Sequence, residues 1–386
     1  MKTFNKLLST SLAICMILCL TIFSYAKTAT NSINETFSAN NYNGASIEEV
    51  QHILNNANLD IDASSIKMDS REFINAHTKP SNSTTYRTLP TVVDNTSYFP
   101  SPSSTGQGNQ GSCTAWAMAY FLKSGQETIN KGWSRNTTNH IFSPAYVFNT
   151  MTNNGAGISL GQAASKMFAD GVCPISYMPY NANDFETSPS AIQNAAAELY
   201  TIGDFWFTGS ITQMKEAIYE HGGVCVSVLV YEDFYNLSQT NQIYDTINPA
   251  NTNPGYHSLC IIGYDDSKQA FKFINSWRAN TYGLNGYGWI SYDLVNNPNV
   301  NLPGAGVSCV IEYQDNAVVM GDVNRDGAVT AQDAALTNKY LRGTATLTAT
   351  QIVLADVDGD GDVDSTDSQN IINFSSQSIN NLPIYN

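Results

Sequence analysis

Apolar and polar residues follow different patterns in successive parts of the chain. The segment after Cys113, TAWAMAYFLKSG, is apolar on nearly every side, which predicts a helix buried in a core. Farther on, the apolar residues come in short runs separated by Gly, Asn and Asp, a pattern that predicts strands. These runs are GVCVSVLVY, HSLCIIGY, AFKFINSW, YGWISYDLV and VSCVIEY. Helices followed by strands predict an α+β fold with a mainly helical half and a β half.

The first 26 residues have the pattern of an export signal. Lys2 and Lys6 precede an apolar run from Leu7 to Phe23, and the small-x-small ending SYA follows it. A basic start, an apolar core of about 15 residues and this ending predict a secretory signal cleaved after Ala26, rather than an uncleaved anchor. No later segment has the apolar length of a membrane span. The protein is therefore expected to be exported.

Residues 27–88 contain few apolar groups. Ser46 and Glu49 form a capping-box pattern that predicts one short amphipathic helix in SIEEVQHILNNANL, and SREFINAH is a weaker helical pattern. So little apolar sequence makes a poor independent domain. We expect this segment to be a linker or to pack on the domain that follows.

Charge and cysteine content narrow the class of protein. The 386 residues carry a formal charge of -15, which argues against nucleic acid or an anionic membrane surface as a partner. Two of the seven cysteines lie in the predicted signal, and the remaining odd number leaves at least one free thiol if all pairing is internal. Those that remain are Cys113, Cys173, Cys225, Cys260 and Cys309. Cys225 and Cys260 lie in apolar strands and are expected to be buried thiols, as is Cys173.

Two similar segments, 322–341 and 356–375, each begin with the pattern of a twelve-residue calcium loop. Such loops offer oxygen ligands at positions 1, 3, 5, 7, 9 and 12 and need glycine at position 6 for the turn. The predicted ligands of the first loop are Asp322, Asn324, Asp326, the Ala328 carbonyl, Thr330 and Asp333, with Gly327 at the turn. Those of the second loop are Asp356, Asp358, Asp360, the Asp362 carbonyl, Asp364 and Asp367, with Gly361. The sequence therefore predicts two bound Ca²⁺ ions.

A helix is predicted after each loop, but only QDNAVVMG stands before the first loop, too short for a preceding helix. This arrangement differs from a calmodulin-type sensor and resembles a type I dockerin at residues 321–386, after a linker at 316–320. The resemblance implies calcium-dependent binding to a cohesin domain of a cellulosome scaffold, with positions 10 and 11 of each loop governing partner choice. Those positions hold Ala331, Gln332, Ser365 and Thr366. A folding staple without a partner is the alternative.

The middle of the chain carries residues that suit nucleophilic catalysis. Cys113 opens the predicted buried helix, His257 opens the strand HSLCIIGY, and Asn275 ends the strand AFKFIN. A nucleophilic thiol needs a base within hydrogen-bond reach and a third group that orients the base. These three residues are therefore candidates for a catalytic site.

Residues 89–315 resemble the papain-like cysteine proteases. The matching segments are LPTVVDNTSYFP, FSPAYVFN, DGVCPISYMPY, YHSLCIIGYDD, and INSW followed by GYGW. In this family the His follows the Cys by about 130 to 150 residues, as His257 follows Cys113. The resemblance implies a two-lobed fold with a helical lobe and a β-barrel-like lobe, and peptide hydrolysis without a catalytic cofactor. Residues 27–88 then stand where a propeptide would.

Two Gln-Gly pairs precede the cysteine in TGQGNQGSCTAWA. The family has Cys-Trp adjacent, whereas two residues separate Cys113 from Trp116 here. If Gln110-Gly-Ser-Cys is aligned with the family's Gln-Gly-Ser-Cys, Trp116 falls at the position of the nucleophile. This alignment implies an inactive homologue. Counting six residues back from the nucleophile assigns Gln107 to the oxyanion and keeps all four catalytic residue types. We favour this second alignment.

The resemblance implies a role for each matched residue. Cys113 attacks, His257 is the base, Asn275 orients the imidazole, and Gln107 binds the oxyanion. Further expected contacts are Trp277 over the His–Asn bond, Gly155 and Gly157 on the substrate backbone, and Tyr256 and Ser258 at the pocket for the second residue before the cut. The alternative is that the two glycines serve only a turn.

These features together predict a secreted cysteine endopeptidase with peptide or protein substrates that is docked on a cellulosome scaffold. Two other functions stay open: a papain-fold protein that binds or inhibits without turnover, and an amide hydrolase acting on cell-wall peptides. Loops that block the cleft decide between endo- and exo-action, and the sequence does not show them.

Overall fold

The computed structural model describes residues 51, 55, 69, 71–78, 88–152, 155–248, 250, 254–297, 300, 308–314 and 319–383, which belong to one compact unit, Asn43–Asn386. The predicted export signal and most of the segment 27–88 lie outside the described residues. Gln51 and Asn55 are helical, and the rest of the helix predicted around them lies outside as well. No helix of the described ranges is long and apolar enough to cross a membrane.

Helices dominate the first half of the described chain, and further helices lie between the later strands. They are α1 (Arg71–Ala76), α2 (Cys113–Ala115), a π-helical stretch (Trp116–Lys123), α3 (Ser124–Lys131), α4 (Pro144–Met151), α5 (Leu160–Ala169), α6 (Ala191–Glu198), α7 (Ile211–His221), α8 (Glu232–Tyr235), a 3-10 turn (Ala279–Thr281) and α9 (Tyr292–Val295). The α2, π-helical and α3 parts are continuous and form the central helix, which begins at Cys113. Its apolar residues are buried nearly all round, as the sequence predicts.

Eight strands form one sheet. They are β1 (Val92–Asp94), β2 (Phe205–Thr208), β3 (Val224–Val230), β4 (Ile243–Tyr244), β5 (Gly255–Asp265), β6 (Ala270–Ile274), β7 (Tyr287–Ser291) and β8 (Ser308–Ile311). Their order is β2-β8-β3-β5-β6-β7-β4, and β1 pairs with the end of β5. All pairs are antiparallel except β4 with β7.

Strand β3 explains how the two halves share the sheet. It is buried along its whole length, because its two faces pack against different clusters of side chains. Cys225 packs in the cluster that contains Trp116 of the central helix, whereas Val224 and Val226 pack in a second cluster on the other face. The predicted α+β class is confirmed: a helical half lies against one face of a mainly antiparallel sheet.

A short part of the segment 27–88 packs at the β2 edge of the sheet. Ile74 of α1 is fully buried in the cluster around the central helix. The Phe207 N–H donates to the His77 carbonyl at 3.0 Å, and the His77 ring stacks on Phe205 with centroids 4.6 Å apart. Of the two expectations for this segment, packing on the following domain holds for residues 71–78.

Three helices follow in residues 319–383: α10 (Ala331–Leu341), α11 (Ala349–Ala355) and α12 (Ser365–Ser375). As predicted, α10 and α12 follow the two calcium-loop sequences, and they pack against each other. The sequence reasoning missed α11, although Thr348 and Gln351 form a capping box that marks its start. The core between these helices is small and consists of Val323, Ala334, Leu347, Ala355, Val357 and Ile371.

Candidate active site

Cys113 lies at the first position of the central helix and is almost fully buried, with 8% of its surface exposed. The neighbouring Thr114 donates its hydroxyl to the Ile158 carbonyl at 2.8 Å and lies 2.9 Å from the Ser258 hydroxyl. Thr114 thus joins the helix to the loop before α5 and to β5. The thiol is held at the positive end of a helix dipole, which favours a negative charge there.

His257 and Asn275 meet beside the cysteine. His257 Nε2 lies 2.7 Å from Asn275 Oδ1, and because an amide oxygen only accepts, the ring nitrogen donates this bond. His257 also forms a hydrogen bond with the Cys113 thiol. Trp277 covers the pair, with its ring 4.6 Å from the imidazole. The three residues singled out in the sequence therefore form one connected chain, and Asn275 is completely buried.

The environment of Cys113 differs from that of the buried structural thiols. Burial of the Cys113 thiol opposes its ionisation, but the hydrogen bond and charge of His257, together with hydrogen bonds from Ser258, outweigh burial and lower its pKa. Burial raises the pKa of Cys173, Cys225 and Cys309 instead. All five cysteines of the described chain are free thiols. A lowered pKa at one buried thiol marks that thiol as the candidate nucleophile.

The two glutamines of TGQGNQGSC point in different directions. The Gln107 side chain accepts from the Ser276 hydroxyl and donates to the Gln110 carbonyl at 2.8 Å, and its backbone N–H donates to the Ser276 carbonyl at 2.8 Å. This places Gln107 against the strand end that carries Asn275. The Gln110 side chain turns away: it accepts from Tyr180 at 2.8 Å and donates to the Asp184 carbonyl at 3.2 Å.

Tyr180 is the residue of this region that sequence reasoning missed. Its hydroxyl carries one proton and lies 2.8 Å from the Gln107 carbonyl, 2.8 Å from Gln110 Oε1 and 2.7 Å from the Ser112 hydroxyl. It therefore fixes the loop that leads into Cys113. The segment DGVCPISYMPY contains Tyr180 but no signal that distinguishes it from the other tyrosines.

The residues expected to contact the substrate lie near Cys113. Gly155 has φ +73°, and a Cβ at Gly111 would lie 3.2 Å from the Gly155 carbonyl and from the Gly157 N–H, so this loop runs against the chain before Cys113. The Ser258 hydroxyl is buried and lies 2.7 Å from that of Ser227. Tyr256 also forms a hydrogen bond with Ser227, and burial raises its pKa.

The second calcium-loop sequence forms a cluster of carboxylates. Oxygen atoms of Asp356, Asp358 and Asp367 lie within 4.8 Å of one another. Asp356 Oδ1 is buried and has no hydrogen-bond partner among the described residues. Burial, followed by the charge of Asp367, raises the pKa of Asp356 to about 7. A buried, unpaired carboxylate beside other carboxylates fits a hard divalent cation such as Ca²⁺, and Gly361 has the positive φ of +96° that the turn needs.

The first loop has the same backbone arrangement. Asp322 accepts from the N–H groups of Asp326 and Gly327 at 3.0 and 2.9 Å, and Gly327 has φ +94°. Asp333 accepts from the N–H groups of Asn324 and Thr330 at 2.9 and 2.8 Å. These bonds curl the loop around Asp322 and Asp333, whereas the carboxylate cluster found among the described residues is that of the second loop. The remaining predicted ligands, Asp360, Asp362 and Asp364 in the second loop and Ala328 in the first, lie on the loops at the positions expected of them.

The four residues expected to govern partner choice are all exposed in the first turns of two helices. Ala331 and Gln332 begin α10, and Ser365 and Thr366 begin α12. Helix α11 packs instead against α6 of the preceding part of the chain. Tyr177 adds a polar contact there, donating its hydroxyl to Asp356 Oδ2 at 3.2 Å.

Comparisons with known proteins agree with this geometry. Residues 89–304 match the family described as Papain family cysteine protease, and residues 320–374 match the Dockerin type I domain. An uncharacterized peptidase C1-like protein of Acanthamoeba polyphaga mimivirus is 27% identical over 214 residues, which are 50% of this chain and 66% of that protein. The matched stretch thus spans just under two thirds of the length of this curated relative.

Solved structures share the fold. Xylellain, a cysteine protease from Xylella fastidiosa, superposes with a TM-score of 0.53 at 23% identity, covering 62% of this chain and 91% of that one. Digestive procathepsin L2 proteinase from the larval midgut of Tenebrio molitor gives a TM-score of 0.51 at 18% identity, covering 64% of this chain and 77% of that one. With the match over residues 89–304 spanning more than half of the chain, the protein belongs to the papain family of cysteine proteases and carries a type I dockerin domain.

Proposed function

We propose that the protein is an exported cysteine peptidase that hydrolyses peptide bonds at Cys113 and is anchored to a cellulosome scaffold through its dockerin. The hydrogen-bonded chain from Cys113 through His257 to Asn275 carries the catalytic part of this proposal. The lowered pKa of Cys113 argues against the alternative of a binding protein without turnover, because a purely structural thiol in such a buried place has a raised pKa.

The reaction follows from the positions of these groups. His257 takes the proton of Cys113, and the thiolate sulfur attacks the peptide carbonyl carbon, placing the negative charge on the carbonyl oxygen. When the tetrahedral intermediate collapses, the C–N bond breaks and His257 gives its proton to the leaving amine. Water, deprotonated by His257, then attacks the thioester and releases the acid and the thiol. Asn275 keeps the imidazole in the required orientation.

Gln107 and the Cys113 backbone N–H are the proposed donors to the oxyanion. The Cys113 N–H stands at the first position of a helix, where backbone N–H groups have no partner within the helix. The Gln107 amide carries two protons and gives one of them to the Gln110 carbonyl. Its second proton is the one we assign to the oxyanion, and the hydrogen bond from Ser276 to its carbonyl oxygen holds the amide in place.

The dockerin part of the proposal is a calcium-dependent contact with a cohesin. We assign one Ca²⁺ to each loop, held by the oxygen ligands named above. Bound calcium supplies the positive charge that lets the carboxylates of each loop lie close together. The chain's own contribution to cohesin binding is the exposed pair of helix starts at Ala331 and Ser365.

Alkylation of Cys113 tests the nucleophile. We expect a peptide epoxide to label Cys113, located by mass spectrometry, and iodoacetamide to react at a pH below the range near 8.5 that is usual for a free thiol. Below its pKa the thiol is protonated and unreactive, so a lowered pKa moves the rise in rate to lower pH. His257→Ala is expected to move the rise to higher pH, while His221→Ala leaves it in place. Identical profiles for wild type and His257→Ala would contradict the assignment.

Paired glutamine variants test the oxyanion assignment. Gln107→Ala removes a donor that acts mainly in the transition state, so we expect kcat to fall by about 100- to 1000-fold with little change in KM. Gln110→Ala removes the same kind of side chain three positions later, and we expect a loss below about tenfold. Steady-state hydrolysis of one fluorogenic peptide measures both. A larger loss in Gln110→Ala than in Gln107→Ala would overturn the assignment of Gln107. No hydrolysis by the wild-type chain would favour the other alignment, in which Trp116 stands at the position of the nucleophile.

A further inference from the structure

The carboxylate of Asp69 is held in a pocket at the start of helix α5. Asp69 is only 7% exposed, and its carboxylate accepts hydrogen bonds from the Ser159 hydroxyl and from the Gly161 N–H, the latter at 2.9 Å. A Cβ at position 161 would collide with this carboxylate, so a glycine is needed for the close approach. The pocket therefore has both the donors and the space for a short acidic side chain.

The donors belong to a helix N-terminus that is built into the cleft. Ser159 is the N-cap of α5, a ten-residue helix, and Gly161 is in its first turn. Free N–H groups and the positive end of the helix dipole favour an anion at this position. Among the described residues no Lys or Arg forms an ion pair with Asp69. The carboxylate is held by the hydroxyl, the backbone N–H and the dipole, and the charge of His77 in the same segment also favours its ionised form.

The pocket adjoins the reacting residues. Ile158, next to Ser159, accepts the hydroxyl of Thr114, which neighbours Cys113. On the other side, the charge of Asp69 contributes, after burial, to the raised pKa of Tyr256, which precedes His257. The carboxylate therefore lies between the loop before α5 and strand β5. The resemblance to the papain family implies that the pocket for the substrate residue second before the cut lies on this strand, at Tyr256 and Ser258.

The segment that carries Asp69 also packs on the sheet through other residues. Ile74 and the His77 backbone fix α1 to the sheet edge independently of the carboxylate. Burial is the largest influence on Asp69 and raises its pKa, and the hydrogen bonds from Ser159 and Gly161 offset it only partly. A carboxylate is thus kept in a largely dehydrated pocket by donors suited to it, as a bound acidic side chain would be.

We propose that this pocket binds an acidic side chain of the substrate, Asp foremost, at the second residue before the cleaved bond, and that Asp69 occupies it in the chain before the segment is removed. The proposal rests on the proposed peptidase function. It makes Ser159 a residue that determines specificity and makes Asp69 a competitor of the substrate.

Peptide hydrolysis by full-length variants tests the pocket. The Asp69→Ala chain is assayed with fluorogenic tetrapeptides that differ only at the second residue before the cut. That residue is Asp, Asn, Leu or Arg. We expect kcat/KM for the Asp peptide to exceed that for the Leu peptide by at least about tenfold. Adding Ser159→Ala should lower the value for the Asp peptide by about tenfold, because a hydrogen bond to a charged group is lost, and leave the Leu peptide within about twofold.

A second capping serine provides the matched control. Ser190 caps α6 with the same capping-box arrangement as Ser159 in α5, so Ser190→Ala weakens a helix start without touching the pocket. We expect Ser190→Ala to leave the ratio between the Asp and Leu peptides unchanged. Equal loss of the Asp preference in both serine variants would overturn the role of Ser159.

The remaining outcomes separate this inference from the peptidase function. If the Leu or Arg peptide is cleaved better than the Asp peptide, the pocket proposal fails and the peptidase function stands. If no peptide is cleaved and Cys113 does not react with a peptide epoxide, the peptidase function itself fails. Wild-type chain whose N-terminal segment is intact by mass spectrometry should cleave the Asp peptide with a higher KM than Asp69→Ala. Equal KM values would overturn the occupation of the pocket by Asp69.

Discussion

Replacement of Cys113 by alanine is expected to abolish peptide hydrolysis, with a loss of at least about 10⁴-fold in kcat/KM. The reason is that the sulfur forms the covalent bond to the substrate, and no described neighbour can replace it: Thr114 is already hydrogen-bonded to the Ile158 carbonyl and lies beside Ser258. Alanine suits a helix start and removes only one nearly buried sulfur, so the fold should persist. Hydrolysis of a fluorogenic peptide and far-UV circular dichroism measure the two effects.

Cys173→Ala is the matched control for this variant. Cys173 is also a buried free thiol, but burial raises its pKa and it lies in the segment DGVCPISYMPY, away from His257. We expect Cys173→Ala to keep hydrolysis within about threefold of wild type, apart from a modest loss of stability. Hydrolysis that continues unchanged in Cys113→Ala would refute the proposed function. It would instead favour a papain-fold domain at residues 89–315 that is catalytically inactive, and the observed hydrolysis would then come from another source.

Removal of calcium is expected to unfold residues 321–386 and abolish binding to a cohesin. The carboxylates of Asp356, Asp358 and Asp367 lie close together, and without a cation their repulsion acts against the fold. The core cluster of this part is small, with six buried apolar residues among those described, and it offers little to offset that repulsion. Limited proteolysis of the full chain with and without a chelator, and binding to an immobilised cohesin panel, measure the two effects.

Single-ligand variants show whether each loop holds one ion. Calorimetric titration should find two calcium ions per wild-type chain. Asp322→Ala and Asp356→Ala should each lower the calcium affinity of one site. The loss should exceed the roughly 10- to 100-fold that follows loss of an outer-sphere partner. Asp293 is an exposed acidic residue at the start of α9, and Asp293→Ala should change the affinity of neither site. Cohesin binding that survives chelation would refute calcium-dependent docking. Calcium-dependent folding without binding to any cohesin would favour the folding staple.

The contact between Tyr177 and Asp356 could not be predicted from the sequence. The repeat pattern identifies Asp356 as a ligand, because the alternation of oxygen-bearing residues and the glycine at position 6 are local properties of one loop. Tyr177 lies far away in the chain and reaches this loop only because α11 packs on α6. Such a contact depends on long-range packing, which leaves no local signal.

In the active site, too, some residues could be predicted from the local sequence and others could not. The sequence indicated Cys113, His257 and Asn275 because each stands at the end of a patterned element: the start of a buried helix, the start of an apolar strand and the end of the next strand. It did not indicate Tyr180 or Ser276, which hold the loop around Gln107 through bonds to residues distant in the chain. These side chains are ordinary by type and acquire their role only from where the fold places them.

The sequence by itself determined the fold class, the order of a helical half before a β half, the candidate triad and the calcium-loop patterns, since hydrophobic periodicity and short motifs are encoded in neighbouring residues. Only the tertiary structure decided which way the two glutamines point, how the pKa of Cys113 is lowered, and that the carboxylate of Asp69 fills the pocket at the start of α5. Each of these depends on groups brought together from distant parts of the chain. Burial, hydrogen bonding and charge act through space, and for that reason they become visible only once the chain is folded.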